Sequence, residues 1–172
     1  MAKKTIVLMI AAGTVFMATA ARPASAQRQP DTRPVQLYVD IGYVNLFSYP
    51  KWLNLGPELE LRLGRFVTFN PDVSLWIGQS FGRKVRIVPG ATVNLRFQRV
   101  FVGGGAVGRI PEWAGSGTGA GLRAGGWLVP KAQVGYLAGP TRLTISLFYL
   151  SGSKDVVAAA TIGMGIGRRS RD

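Results

Sequence analysis

A chain of 172 residues with 21 Lys and Arg against 8 Asp and Glu carries a formal charge of +13, and 47% of it is hydrophobic. Cysteine and histidine are both absent, which excludes a disulfide framework, Cys/His metal centres and any chemistry that needs an imidazole base. The basic residues are spread along the chain rather than clustered, which argues against a nucleic-acid interface. Residues 1–26 have the form of a cleaved export leader. Lys3 and Lys4 precede an apolar run from Thr5 to Ala20, and Ala24-Ser25-Ala26 supplies a small-residue cleavage site. That run is shorter than the ~20 residues a membrane-spanning helix needs, so it reads as an address.

Residues 27–34 form a polar, proline-containing lead-in on the periplasmic side. From Val35 the chain alternates with period 2, the mark of a strand whose two faces meet different surroundings. Val35, Leu37, Val39, Ile41, Tyr43 and Phe47 share one face, with Gln36, Tyr38, Asp40 and Gly42 on the other. Ser48–Asn54 is predicted to be a loop carrying Trp52. A second strand is expected over about Leu55–Val67, with Glu58, Glu60 and Arg62 on its polar face. Asn70-Pro71-Asp72 has turn chemistry and is assigned as a turn before a third strand, Val73–Phe81.

After Gly82-Arg83-Lys84, the fourth strand is predicted over Val85–Phe97, with Arg86, Thr92, Asn94 and Arg96 opposite its apolar row. Gln98-Arg99 leads into a fifth strand, Val100–Ile110. Pro111–Thr118 is a Gly/Ser-containing loop with Glu112 and Trp113. The even-numbered apolar positions from Ala120 to Ala138 keep phase through Pro130, which predicts one long sixth strand, Gly119–Ala138. Arg123, Trp127, Lys131 and Gln133 then lie on the opposite face. Gly139-Pro140 turns into a seventh strand, Arg142–Leu150; Ser151–Asp155 is a polar loop, and the eighth strand is Val156–Gly167. Residues 168–172 form a basic tail.

Eight alternating segments of about the 9–11 residues a tilted strand needs to cross a bilayer imply a closed barrel, because hydrocarbon tolerates no open sheet edge. The predicted fold is all-β, an eight-stranded antiparallel up-and-down transmembrane β-barrel over residues 35–167. Phe47, Phe97, Tyr136 and Tyr149 at strand ends are expected to mark the interfaces. The polar faces bring Asp40, Glu58, Glu60, Arg62, Arg86, Arg96, Arg109, Arg123 and Arg142 into the lumen as an ion-pair network, since an eight-stranded interior is filled by side chains. Cations outnumber acids in that set. Trp52 and Trp113, on outer loops, are the candidates for surface recognition. The glycine runs at Gly103–Gly105 and Gly115–Gly121 are not followed by a P-loop Lys-Ser/Thr, and they read as packing or bulge positions.

Leader, eight strands, inward charge and Gly-rich spacing together resemble the small bacterial outer-membrane barrels of the OmpA/OmpX-like superfamily. The resemblance implies a Gram-negative-type outer membrane as the location, with outer-membrane lipid, lipopolysaccharide and the barrel assembly machinery as partners. Members often end on an aromatic residue that the assembly machinery uses, whereas this chain ends Gly165-Ile166-Gly167-Arg168-Arg169-Ser170-Arg171-Asp172. Enzymatic members of such families use a histidine base, so this chain is expected to be non-enzymatic, with no cofactor and no metal. The leading expectation is a structural, adhesion or envelope-maintenance barrel. A narrow anion-favouring channel or small-ligand carrier, and a soluble lipocalin-like lipid carrier with the apolar face inward, are the rivals.

Overall fold

The computed structural model describes residues 34–47, 51–79, 84–108 and 124–167, all within the unit Arg33–Asp172. The expected leader and lead-in before Pro34, the expected basic tail, the expected loop Pro111–Thr118 with Trp113, and Arg109 and Arg123 lie outside those residues. Eight strands follow one another: β1 Val35–Val44, β2 Trp52–Arg62, β3 Val67–Gly78, β4 Val85–Phe97, β5 Val100–Gly108, β6 Leu128–Ala138, β7 Thr141–Leu150 and β8 Asp155–Ile166. Each pairs antiparallel with the next, and β8 returns to pair with β1, closing the barrel. Closure leaves no strand with an unpaired edge. One end of the barrel carries the tight connections Leu63–Phe66, Gln98-Arg99 and Gly139-Pro140; we call it the turn end, and the opposite one the loop end.

The pairing register sorts every strand residue into two sets. Tyr38 lies opposite Glu58, Glu58 opposite Asp72, and Asp72 opposite Gly90, so these positions share the inner face. The same register carries Gly90 to Val107, Gly105 to Lys131, Lys131 to Phe148 and Arg142 to Gly163. Every charged residue within the eight strands falls on that inner face. The outer face is Val, Leu, Ile, Ala, Phe, Met, Gly, Pro and Tyr, with Thr141 at the start of β7 its single hydroxyl besides the tyrosines. Ile87 and Ile145 there are 71% and 56% exposed. Phe47 and Tyr149 lie at the loop end of this surface, and Phe97 and Tyr136 at the turn end.

Four sequence expectations are corrected. Asn70-Pro71-Asp72 is not a turn but the middle of β3; the turn is Leu63–Phe66, closed by the Leu63 N–H donating to the Val67 carbonyl at 3.0 Å. Proline survives inside the sheet because the β2–β3 ladder lapses beside it. Leu55 pairs with Leu75, Glu58 with Asp72 and Leu61 with Phe69, and Pro57 and Pro71, which bring no N–H, occupy the gaps between. Second, β2 begins at Trp52, whose side chain is buried inside the barrel rather than displayed on a loop. Third, the sixth strand begins at Leu128. Gly125 has a left-handed backbone, φ 70°, that breaks the phase, so Ala124 is buried while Trp127 is 85% exposed. The Ser151 hydroxyl donates to the Ala124 carbonyl at 3.0 Å and ties this segment to the β7–β8 turn.

The fourth correction concerns charge. Asp72 and Asp155 belong to strands and not to a turn or loop, and both sit on the inner face with Lys131. Asp40, Glu58, Glu60, Asp72 and Asp155 therefore equal Arg62, Arg86, Arg96, Lys131 and Arg142 in number on the described strands. The excess of lumen cations expected from the sequence then rests on Arg109 and Arg123, which lie outside the described residues. Pairing matters because an uncompensated charge in a narrow protein interior is expensive.

Candidate functional site

The lumen is built in two halves. Toward the turn end, Arg142 on β7 reaches across to β1 and β2. Its Nη1 donates to Glu58 Oε1 at 2.5 Å, and its Nη2 to Asp40 Oδ2 at 2.9 Å and Oδ1 at 3.1 Å. One guanidinium thus satisfies two carboxylates, a use suited to its planar fork of donors. The cation also lies 4.4 Å from the centre of the Tyr38 ring and 5.9 Å from that of Phe101, within cation–π range. Arg142 is 2% exposed.

Glycine makes the space for this arrangement. A Cβ on Gly163 would stand 2.2 Å from Asp40 Oδ1, and one on Gly135 would stand 2.2 Å from the Phe101 ring. Neither contact is possible, so the Asp40 carboxylate and the Phe101 ring each occupy room that a larger residue would remove. Nearer the turn end, Glu60 receives Arg96 at 2.9 Å and Arg62 at 3.4 Å. Both arginine side chains keep some solvent contact there.

Amide side chains join the ion pairs across the barrel. Asn70 donates to Glu58 at 2.8 Å and accepts from Thr68 at 2.7 Å and Asn94 at 2.9 Å. Gln133 donates to Asn94 at 2.8 Å and to Thr92 at 3.1 Å. A continuous path of hydrogen bonds therefore runs Arg142–Glu58–Asn70–Asn94–Gln133, from β7 through β2, β3 and β4 to β6. A connected network of this kind makes buried polar groups tolerable and fixes their positions.

Toward the loop end the same inner face turns apolar. Trp52, Trp76, Val88, Val129, Phe148 and Leu150 pack together with Val44, Val107, Ala124, Val157 and Ala159. Trp76 meets Phe148 edge-on, with centroids 5.7 Å apart and planes at 74°, a favoured aromatic geometry. These side chains fill the barrel interior in the manner of a protein core. Between the halves lies a cavity of about 20 Å³, room for little more than a water-sized species.

The structure brings together Asp40, Glu58 and Arg142 in one cluster and Glu60, Arg62 and Arg96 in another. Arg86 is half-buried on the same inner face but opposite Trp76, in the apolar half, where it has interactions of its own. Trp52 belongs to the apolar packing, so its expected part in surface recognition falls away: the β1–β2 connection lies between Val44 and Trp52, three residues earlier in the chain than the sequence suggested. The positions of Arg109, Arg123 and Trp113 are not described. Sequence reasoning missed Asn70 as a network centre and Trp76 and Phe148 as interior packing. A signal for Asn70 existed, because the odd-numbered row Val67, Phe69, Val73, Leu75 and Ile77 keeps phase straight through the supposed turn.

No protein-family model matches this chain, and no curated protein matches it. Among solved structures it is similar to the de novo designed protein TMB2.3, determined by solution NMR. That likeness covers 83% of this chain and 100% of the designed one, at 13% identity and a TM-score of 0.41. The barrel topology stands on the strand pairing of this chain itself.

Proposed function

We propose that the chain is a non-enzymatic integral barrel of a bacterial outer membrane, with a structural, adhesion or envelope-maintaining role, closed to solute flow. The observation that carries this reading is the outer face, where no strand position of the described residues bears a charge. A surface of that composition girdling a whole barrel far exceeds the apolar patches soluble proteins expose, and it suits hydrocarbon. The leader-like residues 1–26 support export, and the OmpA/OmpX-like resemblance supports the outer membrane as the destination. Outer-membrane lipid and lipopolysaccharide are the partners that fit the exposed Lys84 and Lys154 at the loop end, with the barrel assembly machinery as the insertion route.

The channel reading is weaker because both halves of the lumen are occupied, one by ion pairs and one by aromatic packing. A lipocalin-like carrier would need the apolar row to line the interior, and it faces outward. The test combines heat-modifiable gel mobility of purified membranes with planar-bilayer recordings. A folded form that migrates differently from the boiled form, with no conductance, is expected. Recovery of the chain in the soluble fraction, or steady single-channel currents, overturns the reading. A point variant adds a direct check: Ile145→Arg, near the middle of β7 on the outer face, should destabilise the barrel in lipid vesicles by about 2–4 kcal/mol.

A further inference from the structure

Among the described residues, the buried side-chain atoms without a hydrogen-bond partner are Trp52 Nε1, Asn54 Oδ1, Asp72 Oδ1, Gln133 Oε1, Arg142 Nε and Thr144 Oγ1. Asn54, Asp72, Gln133 and Thr144 all line the mid-lumen cavity. Native interiors leave few polar atoms unpaired, so the gathering of these oxygens on one small space needs a cause. Gln133 is 5% exposed, and its amide nitrogen is already committed to Thr92 and Asn94. Its oxygen is therefore left for the cavity. Thr144 is 7% exposed. Asp72 receives the Ser74 hydroxyl on Oδ2 at 3.3 Å, leaving Oδ1 unused.

Charge points the same way. Asp40, Glu58 and Asp72 line the cavity, whereas the cations beside them are Arg142, held by Asp40 and Glu58, and Lys131. Lys131 lines the cavity too, but it hydrogen-bonds to none of the orphaned oxygens. The wall thus carries one negative charge more than it neutralises. Of the four unpaired oxygens only Asp72 Oδ1 belongs to a carboxylate, a ligand charge that suits a singly rather than a doubly charged ion. Carboxylate, amide and hydroxyl oxygens are hard donors that suit a hard cation.

We propose that this cavity is a binding site for one small monovalent cation of the sodium class, held by Asp72 Oδ1, Asn54 Oδ1, Gln133 Oε1 and Thr144 Oγ1. The cation balances the wall charge and joins β2, β3, β6 and β7 at the level where polar lumen gives way to apolar lumen. It enters during folding, before the apolar half closes over it.

The test refolds the full mature chain into detergent micelles in sodium chloride or in choline chloride at equal ionic strength, choline being too large for the cavity. The folded fraction is read by heat-modifiable mobility. The unfolding midpoint should rise with the logarithm of sodium concentration, as binding to the folded state alone requires, and Asp72→Asn should abolish that dependence. Should Asp72→Asn fail to fold, Thr144→Val removes one ligand at nearly constant volume and should shrink the sodium increment. Identical midpoints for the unmodified chain in the two salts would mean that water or a proton alone serves the cavity, and the proposal fails. It fails equally if both variants that fold keep the whole increment.

Discussion

The two halves of the lumen solve the same problem by opposite means. Both must fill the interior of an eight-stranded barrel. The turn-end half does so with charges, and the carboxylates of Asp40, Glu58 and Glu60 are each met by an arginine, Glu58 also by an amide. The loop-end half does so with indole, phenyl and aliphatic groups that need no partner. The first arrangement is specific but brittle, since removing one member strands the others; the second is tolerant in chemistry and sensitive in volume. A barrel using only charges would depend on every pair being made. One using only apolar groups would have nothing but packing to fix the register of its strands.

The contrast is sharpest at Arg142. Arg142→Leu leaves Asp40 and Glu58 buried without their cation and should destabilise the folded barrel by about 3–5 kcal/mol, measured by urea unfolding in detergent. The triple change Arg142→Leu, Asp40→Asn and Glu58→Gln removes the stranded charges as well and should restore much of that loss. If the triple variant is as unstable as the single one, unpaired charge is not the cause.

In the apolar half, Trp76→Ala should cost about 3 kcal/mol, at the low end of large-to-small core changes because the ring lies toward the loop-end mouth. Its companion effect is functional. Combined with Phe148→Ala, it should give brief conductance events in planar bilayers where the unmodified chain is silent. Continued silence would show that the charged half alone is enough to close the lumen.

Gly163→Ala tests the clearance on which the charged half depends. Its new Cβ would press on the Asp40 carboxylate, and a loss of about 1–3 kcal/mol is expected from overpacking. The smallest effect belongs to Trp52→Phe. It deletes a buried N–H that has no partner and keeps most of the ring, so the unfolding midpoint should stay within about 1 kcal/mol of the original or rise.

Much of this was legible in the chain before any coordinates. Period-2 alternation identified each strand, and the fourth one, Val85–Phe97, is found with the bounds read from sequence. The pull of local chemistry misled at Asn70-Pro71-Asp72. Turn propensity there is real, but Asn70 has partners on β2 and β4 that no local window contains. The same holds at Ala124, where one left-handed glycine reverses the face that parity predicted.

Which side of the sheet a residue occupies follows from alternation, because successive side chains point to opposite faces of any strand. The amino-acid order therefore determined by itself that charge and grease would be separated across the barrel wall. How far along the barrel each inner residue sits is a different quantity. It depends on the stagger between strands that are distant in sequence, and only closure of β8 onto β1 settles that. Trp52, Trp76 and Phe148 meet in one half, and Asp40, Glu58 and Arg142 in the other, because the tertiary register brings them to common levels. Nothing in their local sequence encodes that height.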